Sequence, residues 1–155
     1  MTFDPQYTMP AAMNDARIVA VGIYRNQAWK ARVRRLWALI TRTSGHLQEL
    51  CCGVQPGSSH EGSYVGLREI AIDTICGSEE RADDFDDFFR PLAGHNRDRW
   101  VSVAEARLRG VQMPPVQLIE VGGRYFVRDG HHRISVAKAL GESFVDAEVV
   151  RWQMR

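Results

Sequence analysis

The chain has 155 residues, 45% of them hydrophobic and 25% charged, a balance typical of a soluble globular domain. No apolar run approaches the roughly 20 residues of a membrane span. The N-terminus lacks the basic and apolar regions of a signal peptide. Cysteines are few and odd in number, which argues against a disulfide framework. We therefore expect a cytoplasmic protein that does not engage a membrane.

Charge is distributed unevenly although the net charge is only +1. Residues 1–50 carry seven basic and three acidic residues (+4), whereas residues 61–90 carry three basic and nine acidic residues (−6). Residues 91–155 carry ten basic and seven acidic residues (+3). This distribution does not predict nucleic-acid binding by the whole surface, but it leaves a basic N-terminal segment.

Residues 11–42 contain no proline and one glycine, which predicts a mostly helical segment with a break near Gly22. At about 100° per residue, an apolar stripe lies beside a basic one. The apolar stripe contains Trp29, Val33, Leu36, Trp37 and Ile40, and the basic stripe contains Arg25, Arg32, Arg35 and Arg42. The tryptophans predict burial, either against the rest of the chain or in a homo-oligomer. The arginines indicate either a solvated face or a surface for DNA or a protein partner.

Residues 43–63 are rich in glycine, serine and proline, which predicts a linker between an N-terminal extension (1–60) and a compact domain (61–155). A zinc site is one interpretation of the cysteines and histidines around this linker, namely His46, Cys51, Cys52 and His60. Adjacent cysteines do not match the usual zinc-ligand spacing, so we favour a structural loop.

The compact domain is predicted to begin with a short strand around Leu67–Ile72 and a helical turn over Asp73–Cys76. The following polar loop, Gly77–Asp86, places Arg81 among five carboxylates, as loops that carry function often do. Arg81 is a candidate anion ligand. Asp83, Asp84 and Asp86 are candidate Mg²⁺ ligands. The alternative is a solvated acidic turn anchored by the aromatic residues that follow.

The remaining elements are predicted from turn residues and periodicity. A helix covers Val101–Arg109 and stops at Gly110. Strands at Val116–Val121 and Arg124–Arg128 form a hairpin, because Gly122-Gly123 is a two-residue turn. A last strand covers Phe144–Val150.

The most informative stretch is Asp129-Gly130-His131-His132-Arg133, which follows the strand residues Tyr125-Phe126-Val127. Apolar residues then take helical spacing until Gly141. The first N–H groups of a helix lack intrahelical acceptors and lie at the positive end of its dipole. Two histidines and an arginine add donors there, which predicts an anion site, most naturally for phosphate. The alternative is structural: Asp129 caps the helix and Arg133 pairs with a carboxylate.

The order of elements over residues 67–150, together with the DGHHR motif, resembles the superfamily of ParB N-terminal domains and sulfiredoxin. The resemblance implies an α+β fold with a small mixed sheet and packed helices, here preceded by the N-terminal amphipathic helix. It also implies a bound nucleotide, ATP or CTP, with Arg81 facing its phosphates. Sulfiredoxin-like proteins place their nucleophilic cysteine where this chain has His131, so thiol catalysis is excluded.

Three functional hypotheses follow, and the nucleotide, the acceptor and the oligomeric state stay open. The first is nucleotide binding with phosphoryl transfer or hydrolysis. Its phosphate-binding residues are Ser78, Arg81, Asp129, Gly130, His131, His132 and Arg133. Its catalytic candidates are Glu79, Asp84 and His131, with Mg²⁺ on Asp84 and Asp86. The second is a non-catalytic regulator that senses a nucleotide and contacts DNA or protein. The third is a nuclease with a metal near Asp84, Asp86 and His132.

Overall fold

A computed structural model describes residues 11–41, 47–50, 62–92 and 94–152. The α-helices are α1 (Ala11–Thr41), α2 (Arg97–Leu108) and α3 (His131–Ala139). The strands are β1 (Gln48–Glu49), β2 (Gly62–Ala71), β3 (Ile75–Ser78), β4 (Val116–Val121), β5 (Arg124–Asp129) and β6 (Phe144–Trp152). The fold is α+β, as predicted. In these ranges no helix combines the length and apolar character of a membrane span.

The strands form one mixed sheet in the order β1-β3-β5-β4-β6-β2. The β4–β5 and β2–β6 pairs are antiparallel, and the other pairs are parallel. Helix α3 packs its apolar side, including Ile134 and Ala137, into the main core with strand residues such as Leu118 and Val127. Because β3 and β5 are parallel neighbours, the segments that follow them leave the sheet at the same edge. This edge brings the Gly77–Asp86 loop beside the start of α3.

Two local predictions are confirmed. Gly122 and Gly123 join β4 to β5 with φ of +57° and +79°, the left-handed pair that a type I′ turn needs. Helix α3 begins directly after Gly130 and ends at Ala139, two residues before Gly141, whose φ is +79°.

Several boundaries differ from the predictions, including strand β2, which begins at Gly62 and so before the predicted Leu67. In three places tertiary pairing outweighs local signals. The helical turn comes earlier, as a 3₁₀ turn over Ile72–Thr74, and Ile75 begins strand β3 because it is buried and pairs with Tyr125. Strand β1 lies inside the predicted linker and pairs with β3. Helix α2 begins at Arg97, four residues early, and its first turn includes the buried Trp100.

Helix α1 is continuous through Gly22, so the predicted break there is wrong. Its inner face is made of small residues and one aromatic: Ala20, Tyr24 and Ala31 are buried. The Tyr24 ring meets the Trp100 ring edge-on, with 5.5 Å between centroids. Small side chains let α1 lie close to α2, and this contact decides which face of α1 is covered.

The apolar stripe of α1 lies on the opposite, outer face. Trp29, Leu36, Trp37 and Ile40 are 61–76% exposed, so the predicted burial of this stripe against the rest of the chain is wrong. Burial in a homo-oligomer stays a prediction. The basic residues Arg25, Arg32 and Arg35 are also exposed. Arg42, His46, Cys51, Cys52 and His60 lie outside the described residues.

Candidate functional site

The candidate site lies where β3 and β5 end and α3 begins. Ser78, the last residue of β3, pairs with Val127 of β5. Two residues later β5 ends, and Gly130 turns the chain into α3 with φ of +101°. A Cβ on Gly130 would lie 2.6 Å from Cγ1 of Val116, so the backbone passes β4 more closely than any side chain allows. Glycine is therefore required at this turn.

The N-terminus of α3 has no side-chain cap. Its first helical bond runs from the Ile134 N–H to the Gly130 carbonyl at 3.0 Å, so the three preceding N–H groups have no helical acceptor. The interpretation of Asp129 as a cap is not supported, because its carboxylate pairs with Arg133. An uncapped helix start of this kind favours an anion.

His131 is held by a buried serine and an aromatic ring. Its Nε2 lies 2.7 Å from Oγ of Ser78, and its ring stacks on Phe85 at 6.0 Å between centroids. Burial, and after it the positive charge of Arg81, lowers the pKa of His131 to about 4. His131 is therefore neutral at physiological pH.

His132 is only 5% exposed, and neither of its ring nitrogens has a hydrogen-bond partner in the part of the chain that the structure describes. Phe85 meets the ring edge-on, with 5.5 Å between centroids. Burial is the largest cause that lowers the pKa of His132 to about 4, and the positive charges of Arg99 and Arg81 are the next. Leaving a buried polar group unsatisfied costs about 1–3 kcal/mol. An unsatisfied imidazole at an uncapped helix start is the clearest sign of a ligand site here.

The charges around the two imidazoles are mixed. Arg81 and Arg99 are exposed and lower the pKa of His132, whereas Asp84 raises it. His95 also lowers this pKa, and its Nε2 lies 3.7 Å from Oδ1 of Asp84. The arrangement combines buried neutral donors with exposed cations, which suits a phosphate-bearing anion.

The structure brings together six of the residues predicted for the site: Ser78, Arg81, Asp84, Gly130, His131 and His132. Glu79 is paired with Arg128, with Nε at 2.9 Å from Oε2. Asp86 is buried in its own loop, and its Oδ1 accepts the N–H groups of Phe88 and Arg90. No group of three or more His, Cys, Asp or Glu side chains within the described ranges is arranged to hold a metal ion.

Arg133 has a structural position. One of its terminal nitrogens donates to the carbonyls of Pro114 and Pro115 at 2.7 and 2.9 Å, and the other pairs with Asp129. These bonds fasten α3 to the segment that enters β4. They match the structural interpretation, in which Arg133 pairs with a carboxylate, and contact between Arg133 and a phosphate stays a prediction.

Arg133→Ala is expected to lower the free energy of unfolding by about 2 kcal/mol, since three bonds to a charged donor are lost. Urea denaturation followed by circular dichroism measures the change. Arg124→Ala is the matched control, because the bond from Arg124 to Gln48 is long (3.5 Å) and exposed. Equal midpoints for the two variants would contradict the structural role of Arg133.

Sequence reasoning missed the contribution of the α2 start. His95 and Arg99 come from this segment, and both lie near enough to His132 to lower its pKa. Between them in sequence, Nδ2 of Asn96 is another buried donor without a partner among the described residues. The available signal was the polar run His95–Arg99 directly before a helical pattern. Only tertiary packing shows that this run faces α3.

No family model matches the chain, and no curated protein matches it. Among solved structures, the chain is similar to sulfiredoxin from Arabidopsis thaliana, with 18% identity and a TM-score of 0.41. The alignment covers 54% of this chain and 82% of that protein. A similarity this low supports no statement about ligand or chemistry.

Proposed function

We propose that this chain is a ParB/sulfiredoxin-like domain that binds a nucleotide through its phosphates at the start of α3. The observation that carries the proposal is the buried His132, which has no hydrogen-bond partner among the described residues and lies beside an uncapped helix N-terminus. A phosphate there would accept hydrogen bonds from the first-turn N–H groups and from His132. Arg81 and Arg99 would neutralise its charge, and both lie close enough to lower the pKa of His132.

For phosphoryl transfer or nucleotide hydrolysis, Asp84 is the carboxylate we favour as proton acceptor or Mg²⁺ ligand. Its charge raises the pKa of both histidines, so it lies near them. Glu79 is a weaker candidate because Arg128 engages it. His131 is a weak base, with a pKa of about 4. Binding is therefore the primary proposal, and catalysis depends on Asp84.

A second candidate function is a nucleotide-sensing regulator that contacts DNA or a protein through α1. It is favoured by the exposure of Arg25, Arg32 and Arg35, none of which forms an ion pair with a described residue. Phosphate contacts by these arginines would weaken steeply as salt rises.

Calorimetry with ATP, ADP, CTP and GTP, each with and without Mg²⁺, tests the proposal. We expect binding of at least one nucleotide, weakened about tenfold or more by Arg81→Ala and by Arg99→Ala, because each loses a charge-assisted bond. Arg124→Ala, on the hairpin at the other end of β5, should leave the affinity unchanged. Failure of every nucleotide to bind, or equal affinity for all variants, would overturn the proposal.

Product analysis of the same mixtures decides between an enzyme and a regulator. Nucleotide turnover that Asp84→Asn abolishes would support phosphoryl transfer or hydrolysis. Binding without turnover, together with a salt-sensitive shift of duplex DNA, would support the regulator.

A further inference from the structure

We infer that Ser78 is a positioning residue of this site: its hydroxyl fixes which nitrogen of His131 carries the proton, and it anchors the turn that bears Arg81. The inference rests on the proposed function and deepens it. Ser78 itself is completely buried, so it acts through His131 and Arg81 and does not touch the ligand.

The hydrogen bonds around Oγ of Ser78 determine the direction of its proton. The N–H of Arg81 donates to Oγ at 2.9 Å, and the N–H of Glu80 donates at 3.3 Å. These two donors occupy both lone pairs of a hydroxyl oxygen, which leaves only its proton to share. Among the described residues, the remaining neighbour within hydrogen-bond distance is Nε2 of His131, at 2.7 Å. Ser78 therefore donates, and Nε2 of His131 accepts.

This direction sets the tautomer of His131. A neutral imidazole that accepts at Nε2 carries its proton on Nδ1. Its Nε2 lone pair is occupied, so the ring cannot bind a metal or take up a proton there while the bond to Ser78 persists. His131 is thereby a hydrogen-bond donor, which suits a phosphate oxygen. This removes His131 from the candidate general bases.

The same oxygen joins two parts of the site that are distant in sequence. Its bonds to the 80–81 backbone hold the turn after β3, and its bond to His131 holds the first turn of α3. Arg81 and His131 are therefore placed relative to each other by a single buried group. Loss of the hydroxyl would release both at once.

The tautomer is measurable in the wild-type protein by two-bond ¹H–¹⁵N correlation spectra of the histidine rings at pH 7, without ligand. We expect protonated Nδ1 and unprotonated Nε2 for His131. A proton on Nε2 would overturn the inference, whether or not nucleotide binds. Absence of nucleotide binding with the expected tautomer would instead count against the proposed function, so the two failures are distinguishable.

The variant test compares Ser78→Ala with Ser135→Ala. Ser135 is also buried, but its hydroxyl accepts from Nε1 of Trp100 at 2.7 Å and lies outside the site. We expect Ser78→Ala to mix the tautomers of His131 and to weaken binding of the tightest nucleotide about tenfold. Ser135→Ala should keep both the tautomer and the affinity. Ser78→Cys, with a weak S–H donor, should restore part of the affinity. An unchanged His131 spectrum in Ser78→Ala would refute the positioning role.

Discussion

His132→Leu is expected to stabilise the ligand-free domain while greatly weakening its binding of phosphate. The imidazole is buried without a partner among the described residues, so replacing it with an apolar side chain removes an unsatisfied polar group. We expect a gain of about 1–3 kcal/mol in the free energy of unfolding. Nucleotide affinity should fall at least tenfold, because the ligand loses a buried donor. A substitution that raises stability while it lowers affinity is typical of a functional site.

Thermal unfolding and calorimetry measure the two effects, and His131→Leu is the matched control. That substitution leaves the Ser78 hydroxyl without its acceptor, so it should destabilise the domain. A loss of stability in His132→Leu similar to that in His131→Leu would show that His132 is an ordinary core residue.

The stability of His132→Leu should also depend less on pH. In the wild type the folded-state pKa of His132 is about 4, below the ordinary 6.5, so the unfolded chain binds the proton first. Its contribution to stability is present above about pH 6.5 and is lost as the pH falls toward 4. The leucine variant lacks this component and, of the two buried histidines, keeps only that of His131.

Gly130→Ala is expected to lower the free energy of unfolding by about 3 kcal/mol. The new Cβ would lie 2.6 Å from Cγ1 of Val116, at a φ of +101° that only glycine adopts readily. In a chain of this size such a loss lowers the Tm by roughly 10 °C. Differential scanning calorimetry measures it.

Gly141→Ala separates the two causes of that loss. Gly141 also has a positive φ, +79°, but a Cβ there meets no heavy atom within 4 Å. Gly141→Ala should therefore lower the free energy of unfolding by only about 1 kcal/mol, because backbone strain is its only cost. Equal losses at both positions would mean that the contact with Val116 adds nothing.

The elements that depend on short-range signals were predictable from the sequence. The Gly122-Gly123 turn, the start of α3 after Gly130 and its end before Gly141 each follow from a residue that tolerates positive φ. The DGHHR resemblance also pointed to Arg81 and the histidines. The parallel pairing of β3 and β5 explains why these residues meet.

The remaining features depend on packing between distant segments. Helix α1 has an apolar stripe on one side and a face of alanines on the other, and contact with Trp100 selects the alanine face. Arg99 lies near the site only because α2 packs on α3, where Val101 and Ala104 share an apolar cluster with Val136. The bonds from Arg133 to the carbonyls of Pro114 and Pro115 could likewise not be predicted, because these prolines lie 19 and 18 residues earlier in the sequence.

The position of β6 within the sheet constrains the order in which the fold can assemble. It follows the other five strands in sequence, yet it lies between β4 and β2. Strand β2 has no other neighbour in the sheet, and its register joins Gly62 to Trp152 and Ala71 to Phe144. Its pairing must therefore wait for a segment far along the chain, and the loop closed by that pairing carries a large entropic cost. The β4–β5 hairpin and α3 are local by comparison, so the turn at Gly130 can form before the sheet is complete.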